Sequence, residues 1–383
     1  MSALPLREGS PATQLVSLDP LLAAARAVGA SDLHLSAGKA ALVRLGGELV
    51  ALDGFRSALP GDWLEAALTR LMRTAQQTEL DREGETDLSY SLPCCGRFRA
   101  NVFRQQGGIA AAFRLVPAEI PSLASLGVSE VASRLALRSQ GLVLVTGPAG
   151  AGKSTTLAAM IDLVNRQRAG HIITVEDPIE FIHQSRSCLV HQREIGRDAQ
   201  TFAAALRSAL RQDPDVVMIG ELRDPESISI ALTAAETGHL VLSTMHTQGA
   251  AKSIDRIIDS VPASQQAQVR AQLGETLQGV ISQVLMPGSD GASRVLATEV
   301  LVHTHAVANL IRESQVPQLL TVMQTSSNLG MHTMEQSLVE LVRAGRVSPE
   351  SVAGYLPQPL PGAEAAGAPN AARPSDSEIA RSW

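Results

Sequence analysis

Gly147-Pro148-Ala149-Gly150-Ala151-Gly152-Lys153-Ser154-Thr155 follows the apolar run Leu142–Thr146 and opens a segment with helical periodicity. It fulfils the pattern G-x-x-x-x-G-K-[S/T] in the strand–loop–helix setting that gives the pattern its meaning. The glycines allow a tight turn with inward-facing N–H groups, and the helix that follows adds its positive end, so the loop cradles phosphate. Residues 147–155 are therefore expected to bind a nucleoside triphosphate. Lys153 reaches the β- and γ-phosphates on this reading, and Ser154 holds Mg2+.

Outward from the loop, apolar runs recur at Leu142–Thr146, Ile172–Val175, Val216–Ile219 and Leu240–Met245, with helical stretches between them. Unbroken Val/Ile/Leu runs suit parallel strands covered on both faces. Asp224-Pro225 starts one of the helices and Gly238 ends it. Carboxylates just beyond strand C-termini face the ligand crevice of an open α/β sheet. One acidic cluster of this kind is Val175-Glu176-Asp177-Pro178-Ile179-Glu180-Phe181, whose carboxylates could orient a water or take its proton. A second is Asp215-Val216-Val217-Met218-Ile219-Gly220-Glu221, a buried strand delivering Glu221 where Mg2+ or water needs an acid; aspartate is more usual there. His239 and His246 stand at opposite ends of the last run, roughly 23 Å apart at strand rise, too far to share a metal. His246, at the C-terminal end, is placed to sense the γ-phosphate, and His239 reads as structural.

The first 115 residues have a different texture. Asp19-Pro20 is expected to cap a short apolar helix ending at Gly29, and Asp62 with Glu65 to form a capping box. Asp32–Ser36 and Ala41–Leu45 alternate like half-buried strands. Arg97–Phe103 and Ile109–Leu115 read as a hairpin carrying Arg97, Arg99, Arg104 and Arg114. Val116-Pro117-Ala118-Glu119-Ile120-Pro121 breaks both helix and central strand. The expected organisation is an α+β domain at 1–115, a linker at 116–124, an α/β domain at 125–355 and a Pro/Ala/Gly/Ser-rich tail at 356–383.

Composition sets the outer limits. A chain of 383 residues suits two domains, and 45% hydrophobic with 18% charged residues excludes a wholly disordered chain. No apolar run approaches bilayer length, and Met1–Gly9 lacks the pattern of a signal peptide. Cys94, Cys95 and Cys188 form no C-x-x-C pair, which argues against a disulfide framework or zinc site. A cytoplasmic protein is expected. The net charge of −6 gives no electrostatic reason for nucleic-acid binding. Lysine occurs only at 39, 153 and 252 among 32 basic residues, which makes its retention in the loop noticeable.

Taken together, the chain from about Leu21 to about Gly354 resembles the secretion-superfamily ATPases, and most closely the type IV pilus retraction (twitching motility) ATPases. Val175–Phe181 matches the family's Asp box, Val216–Asp224 its Walker B segment and Gly238–His246 its His box. Ala30–Gly38 and the hairpin Gly96–Arg104 with Gly107–Leu115 resemble its PAS-like N-terminal domain. Leu277–Gln283, Asn309–Glu313 and Gly330–Glu335 resemble its C-terminal helical part. Ala149 and Ala151 stand where the family often has threonine and serine.

The resemblance implies a PAS-like domain followed by a RecA-like core, assembled as a homo-hexamer that hydrolyses ATP with Mg2+ to drive pilin removal. Ser154 and Glu221 would hold the metal, and Glu180 would act as base on water. Arg97, Arg99 and Arg114 would contribute to a nucleotide site in trans. Its expected place is the cytoplasmic face of the inner membrane at the pilus base, on a platform protein, with a second retraction ATPase as a further partner. An accessory paralogue or a pilus or type II secretion assembly ATPase is the alternative; the assembly branch carries an extra N-terminal domain and a four-cysteine insert that this sequence lacks.

Overall fold

Alternating burial in the first third of the chain and continuous burial beyond it give two kinds of sheet in the computed structural model, which describes residues 17–93, 95–116, 119–291 and 293–356. Cys94, the linker residues Pro117 and Ala118, and the tail beyond 356 lie outside the described residues. The chain divides into two compact units, Met1–Ile120 with Pro178–Ile182, and Pro121–Asp177 with His183–Trp383.

In the first unit, β1 (Asp32–Ser36), β2 (Leu42–Leu45), β3 (Glu48–Ala51), β4 (Glu85–Leu92), β5 (Gly96–Gln105) and β6 (Gly108–Leu115) form an antiparallel sheet. The strand order is β3-β2-β1-β6-β5-β4. Leu33, Leu35, Phe98, Ala100 and Phe113 alternate onto its buried side, with Leu22, Leu64 and Leu68 from the helices Asp19–Ala27 and Gly61–Leu71 in the same core. The hairpin forms as expected, Gln105 pairing with Gly108 across its turn.

Two expected helix caps do not form. Asp19 lies inside its helix behind Leu18, and its carboxylate instead accepts a bond of 2.7 Å from the Tyr90 hydroxyl. Asp62 is the second residue of a helix whose N-cap is Pro60, so no capping box arises with Glu65. In both helices the N-cap residue stands one or two residues ahead of the acid, so the acid's side chain lies past the cap position.

In the second unit, β7 (Gly141–Thr146), β8 (His171–Glu176), β9 (Leu189–Glu194), β10 (Val216–Ile219), β11 (Leu240–Met245), β12 (Leu277–Pro287) and β13 (Arg294–Val302) form one sheet in the order β13-β12-β7-β11-β10-β8-β9. All neighbours are parallel except β12 with β13. β7, β10 and β11 are buried along their whole length, which explains their unbroken apolar sequences. This is the RecA-like core.

One expectation needs correction. Leu277–Gln283 is not helical but the first part of β12, paired with β7. Val280, Ile281 and Val284 are buried there, and β-branched side chains suit a strand covered on both faces. Gly279 is required by crowding, since a Cβ would lie 2.7 Å from Leu135 Cδ1 and 2.8 Å from the Leu301 carbonyl. Asn309–Glu313 falls on and just past the helix His305–Arg312, and Gly330–Glu335 leads into the helix Met334–Arg343.

Buried just before β9, His183 has an Nδ1 with no hydrogen-bond partner among the described residues. Burial pushes its imidazole down to about 4 from the ordinary 6.5, against the opposing charge of Asp162. The folded chain therefore holds it neutral, while the unfolded chain takes up a proton as soon as pH falls through 6.5. Stability should be complete above that pH and fall by up to ~3 kcal/mol as pH approaches 4. Denaturant midpoints measured from pH 7.5 to 4.5 test this: His183→Asn should flatten the acid limb relative to wild type, whatever its effect at pH 7.5.

Candidate nucleotide site

The loop 147–152 leaves the C-terminal end of β7 and runs into the helix Lys153–Gln167. Gly147 has φ +140, and a Cβ there would lie 2.3 Å from the Gln283 carbonyl oxygen on β12. Only glycine allows the loop so close to that strand. Gly150 and Gly152 take left-handed conformations, at φ +76 and +83. Lys153 is buried, and its Nζ donates to the carbonyls of Gly147 at 2.8 Å and Pro148 at 2.9 Å. Pro148, Ala149 and Ala151 contribute backbone to the same turn, Ala151 N donating to Pro148 O. Ser154 and Thr155 are half-buried in the first turn of the helix.

β11 lies beside β7 and β10 beside β11, with Met245 in register with Thr146 and Ile219 with Ser243. The residues just after β10 and β11 therefore emerge on the same edge of the sheet as the loop. They are Glu221 and His246. The Glu221 side chain is only 12% exposed, and its two oxygens are held separately. His246 Nε2 lies 3.0 Å from Oε2, while Arg223 pairs with Oε1. Thr244 Oγ1 donates to the Gly220 carbonyl at 2.6 Å, which fixes the peptide that carries Glu221. His239, at the far end of β11, bonds the Ala234 carbonyl through Nδ1 at 3.0 Å and is structural, as its position suggested.

The next strand, β8, ends in Glu176, a buried acid that sequence reading did not single out. Its Oε1 accepts from Thr174 Oγ1 at 2.6 Å and Gln192 Nε2 at 3.1 Å. The only sequence signal for it was its place in the acidic run. Gln283 was also passed over; its Nε2 donates to Thr156 Oγ1 at 2.7 Å, tying β12 to the loop's helix.

Glu180 falls in the short segment Pro178–Ile182 that clusters with the first unit. Its Oε1 is 3.5 Å from Arg99 Nη1, and both side chains are 43% exposed. Arg99 is in register with Arg114, which pairs with Asp32 at 3.0 Å across β1 and β6. Arg97 departs from an outward-facing role: it is 4% exposed. Arg26 brackets this end of β5, donating to the Cys95 and Arg97 carbonyls and lying over the Phe98 ring.

The sequence from residue 11 to 351 matches the family described as type II/IV secretion system protein. The chain belongs to that family. This secretion ATPase is 47% identical over 336 residues to the type IV pilus retractation ATPase PilT of Pseudomonas aeruginosa, covering 88% of the chain and 97% of the relative. It is 37% identical to the type IV pilus ATPase PilU of the same organism, with 85% of each covered. A crystal structure of the pilus retraction motor PilT with bound ADP superposes with a TM-score of 0.82 at 44% identity, covering 91% of this chain and 98% of that one. The chain is thus an ATP-hydrolysing enzyme, and residues 147–155 are its candidate nucleotide loop. Among the described residues of the secretion ATPase, no helix is long and apolar enough to cross a membrane.

The crowding at Gly147 gives a sharp contrast between two glycines. Gly147→Ala forces a methyl into the Gln283 carbonyl, and nucleotide affinity should fall at least about tenfold. Gly150→Ala meets open space and bears only the left-handed strain of about 1 kcal/mol. Titration with a fluorescent ADP analogue distinguishes them; equal affinities would contradict the close approach.

Proposed function

We propose that this chain is the ATP-hydrolysing motor of type IV pilus retraction, working as a homo-hexameric ring that drives pilin disassembly. The observation that carries the reading is the 47% identity to a pilus retractation ATPase across nearly its whole length, borne by a chain that keeps loop, acid and histidine on one sheet edge. An accessory retraction paralogue is the second reading. The ring is placed at the cytoplasmic face of the inner membrane, on the pilus platform protein, where a second retraction ATPase is a further partner.

In this reading residues 147–155 bind the triphosphate, and Lys153 exchanges its two loop carbonyls for β- and γ-phosphate oxygens. Among the described residues no group of three or more His, Cys, Asp or Glu surrounds one point. Mg2+ takes most of its ligands from phosphate and water and needs few from the protein. Ser154 Oγ and the Glu221 carboxylate, fixed by His246 and Arg223, are the protein groups suited to hold it. When bound, the ion neutralises phosphate charge. Glu180 takes the proton of the attacking water, and Glu221 orients that water. His246 reports the γ-phosphate to Glu221 through their shared contact. Arg99 and Arg114 are exposed enough to reach a neighbouring subunit's nucleotide, whereas Arg97 reaches it only if its buried side chain swings out.

Lys153→Ala and Lys153→Arg should each lose ATPase turnover by about 100-fold or more, since a planar guanidinium does not replace a compact ammonium in the loop. Near wild-type turnover in Lys153→Arg would reject the phosphate role of this lysine. Glu221→Gln should still bind ATP and hydrolyse it very slowly. If Glu180→Gln turns over normally while Glu221→Gln is dead, the base is Glu221.

Assembly provides a separate measurement. Specific ATPase activity should rise with protein concentration and level off as the ring forms. Arg99→Ala or Arg114→Ala should lower turnover without weakening ATP binding in its own chain. Mixing that variant with Lys153→Ala subunits should restore some activity. A monomer in sedimentation with concentration-independent turnover would overturn the ring.

A further inference from the structure

β12 and β13 meet the segment behind His246 through an unusual pair of acceptors. Ser282 and Glu299 face each other across the antiparallel ladder, so both side chains lie on one face of the sheet. They accept from consecutive backbone N–H groups: Gly249 N donates to Ser282 Oγ at 2.9 Å, and Ala250 N to Glu299 Oε1 at 2.7 Å. Gly249 has φ +92 and Ala250 begins the helix Ala250–Asp259. The same segment is closed internally by Thr247 Oγ1 on Ser253 Oγ and by Ser253 Oγ on the Gly249 carbonyl, both at 2.7 Å. His246, three residues upstream of Gly249, is thus held in a short stretch with little freedom.

The second oxygen of Glu299 leads elsewhere. Oε2 accepts from Met334 N at 3.3 Å, the first residue of the helix Met334–Arg343. That helix has its own cap, Thr333 and Gln336 exchanging side-chain and backbone bonds. Glu299 is therefore not needed to start it. A buried carboxylate bonded to the N-termini of two helices makes favourable use of both helix dipoles. It also obliges the two helix starts to move together or break a bond.

We propose that Glu299 is a positioning residue that links the His246 segment to the helix Met334–Arg343, so that the nucleotide state at Glu221 and His246 and the setting of that C-terminal helix are coupled. The proposal rests on the reading of Glu221 and His246 as part of the nucleotide site. Glu299 touches no nucleotide; it acts through the backbone at Ala250 and Met334.

The experiment uses the full chain at ring-forming concentration. Met334→Pro removes the N–H that Glu299 receives, at a first helical position where proline is tolerated. Thr333, at φ −86 and ψ 161, already has the extended conformation that precedes proline. In wild type, ADP should change hydrogen exchange at amides 335–343. In Met334→Pro that ADP-dependent change should disappear, while the KM for ATP stays within about twofold.

Glu299→Ala should lower kcat about tenfold with KM nearly constant, as expected for a displaced group rather than a lost ligand. Added to His246→Ala, it should cost less than about twofold more, because the two act on one arrangement. Exchange at 335–343 that ignores ADP in wild type, or still responds to it in Met334→Pro, overturns the coupling. So do effects of Glu299→Ala and His246→Ala that simply multiply. If Glu299→Ala does not fold, the exchange comparison in Met334→Pro decides alone. His246→Ala with wild-type turnover would instead reject the site reading, and the exchange result would still judge the link.

Discussion

Because Met245 pairs with Thr146, Ser243 with Ile219 and Ile219 with Val175, four parallel strands end at one level and hand their next residues to a common edge. That register is what turns four separate sequence segments into a site. With neighbouring strands about 4.8 Å apart, the loop after β7, His246 after β11, Glu221 after β10 and Glu176 at the end of β8 span only about 15 Å. A slip of one residue in any of these strands would turn its side chains to the other face of the sheet. The all-apolar strands resist such slips poorly by pattern alone, since both faces are buried. Polar bonds inside the sheet supply the missing specificity: Ser243 Oγ to the Ile219 carbonyl and Thr244 Oγ1 to the Gly220 carbonyl.

On the loop's other side, β12 does comparable service with two adjacent polar residues. Ser282 faces the segment behind His246, and Gln283 faces the helix that follows the loop. Buried polar groups are costly when unpaired and direction-giving when paired. Their placement on successive residues of one strand means that both sides of the sheet are registered against the same backbone. The carbonyl of Gln283 also stands against Gly147, so the strand limits the loop sterically as well.

Much of this was legible from residues 147–155, because glycine spacing, a lysine and a hydroxyl carry their chemistry locally. The strands Val216–Ile219 and Leu240–Met245 were equally plain, since full burial leaves a continuous apolar sequence. What escaped was non-local. Leu277–Gln283 contains Gly, Ser and Gln among its apolar residues, and only its pairing with β7 shows why a strand tolerates them. Glu176 reads as one acid among several, and its burial comes with bonds from Thr174 on its own strand and from Gln192 on β9, which only the fold brings beside it. Arg97 and Arg99 are two residues apart on one strand, yet one is buried and the other half-exposed. Alternation assigns a face of the sheet; it does not say what covers that face.

Lys153 has its ammonium bonded to the Gly147 and Pro148 carbonyls of its own loop. A buried ammonium without partners would be expensive, and these two bonds remove that expense. Charged oxygens bond an ammonium more strongly than carbonyl dipoles do, so an anion entering the loop competes with two of the loop's own carbonyls for the lysine. The loop is in this sense self-ligated. Its shape is set by its own backbone, through a side chain that ties the first two residues of the turn to the start of the helix.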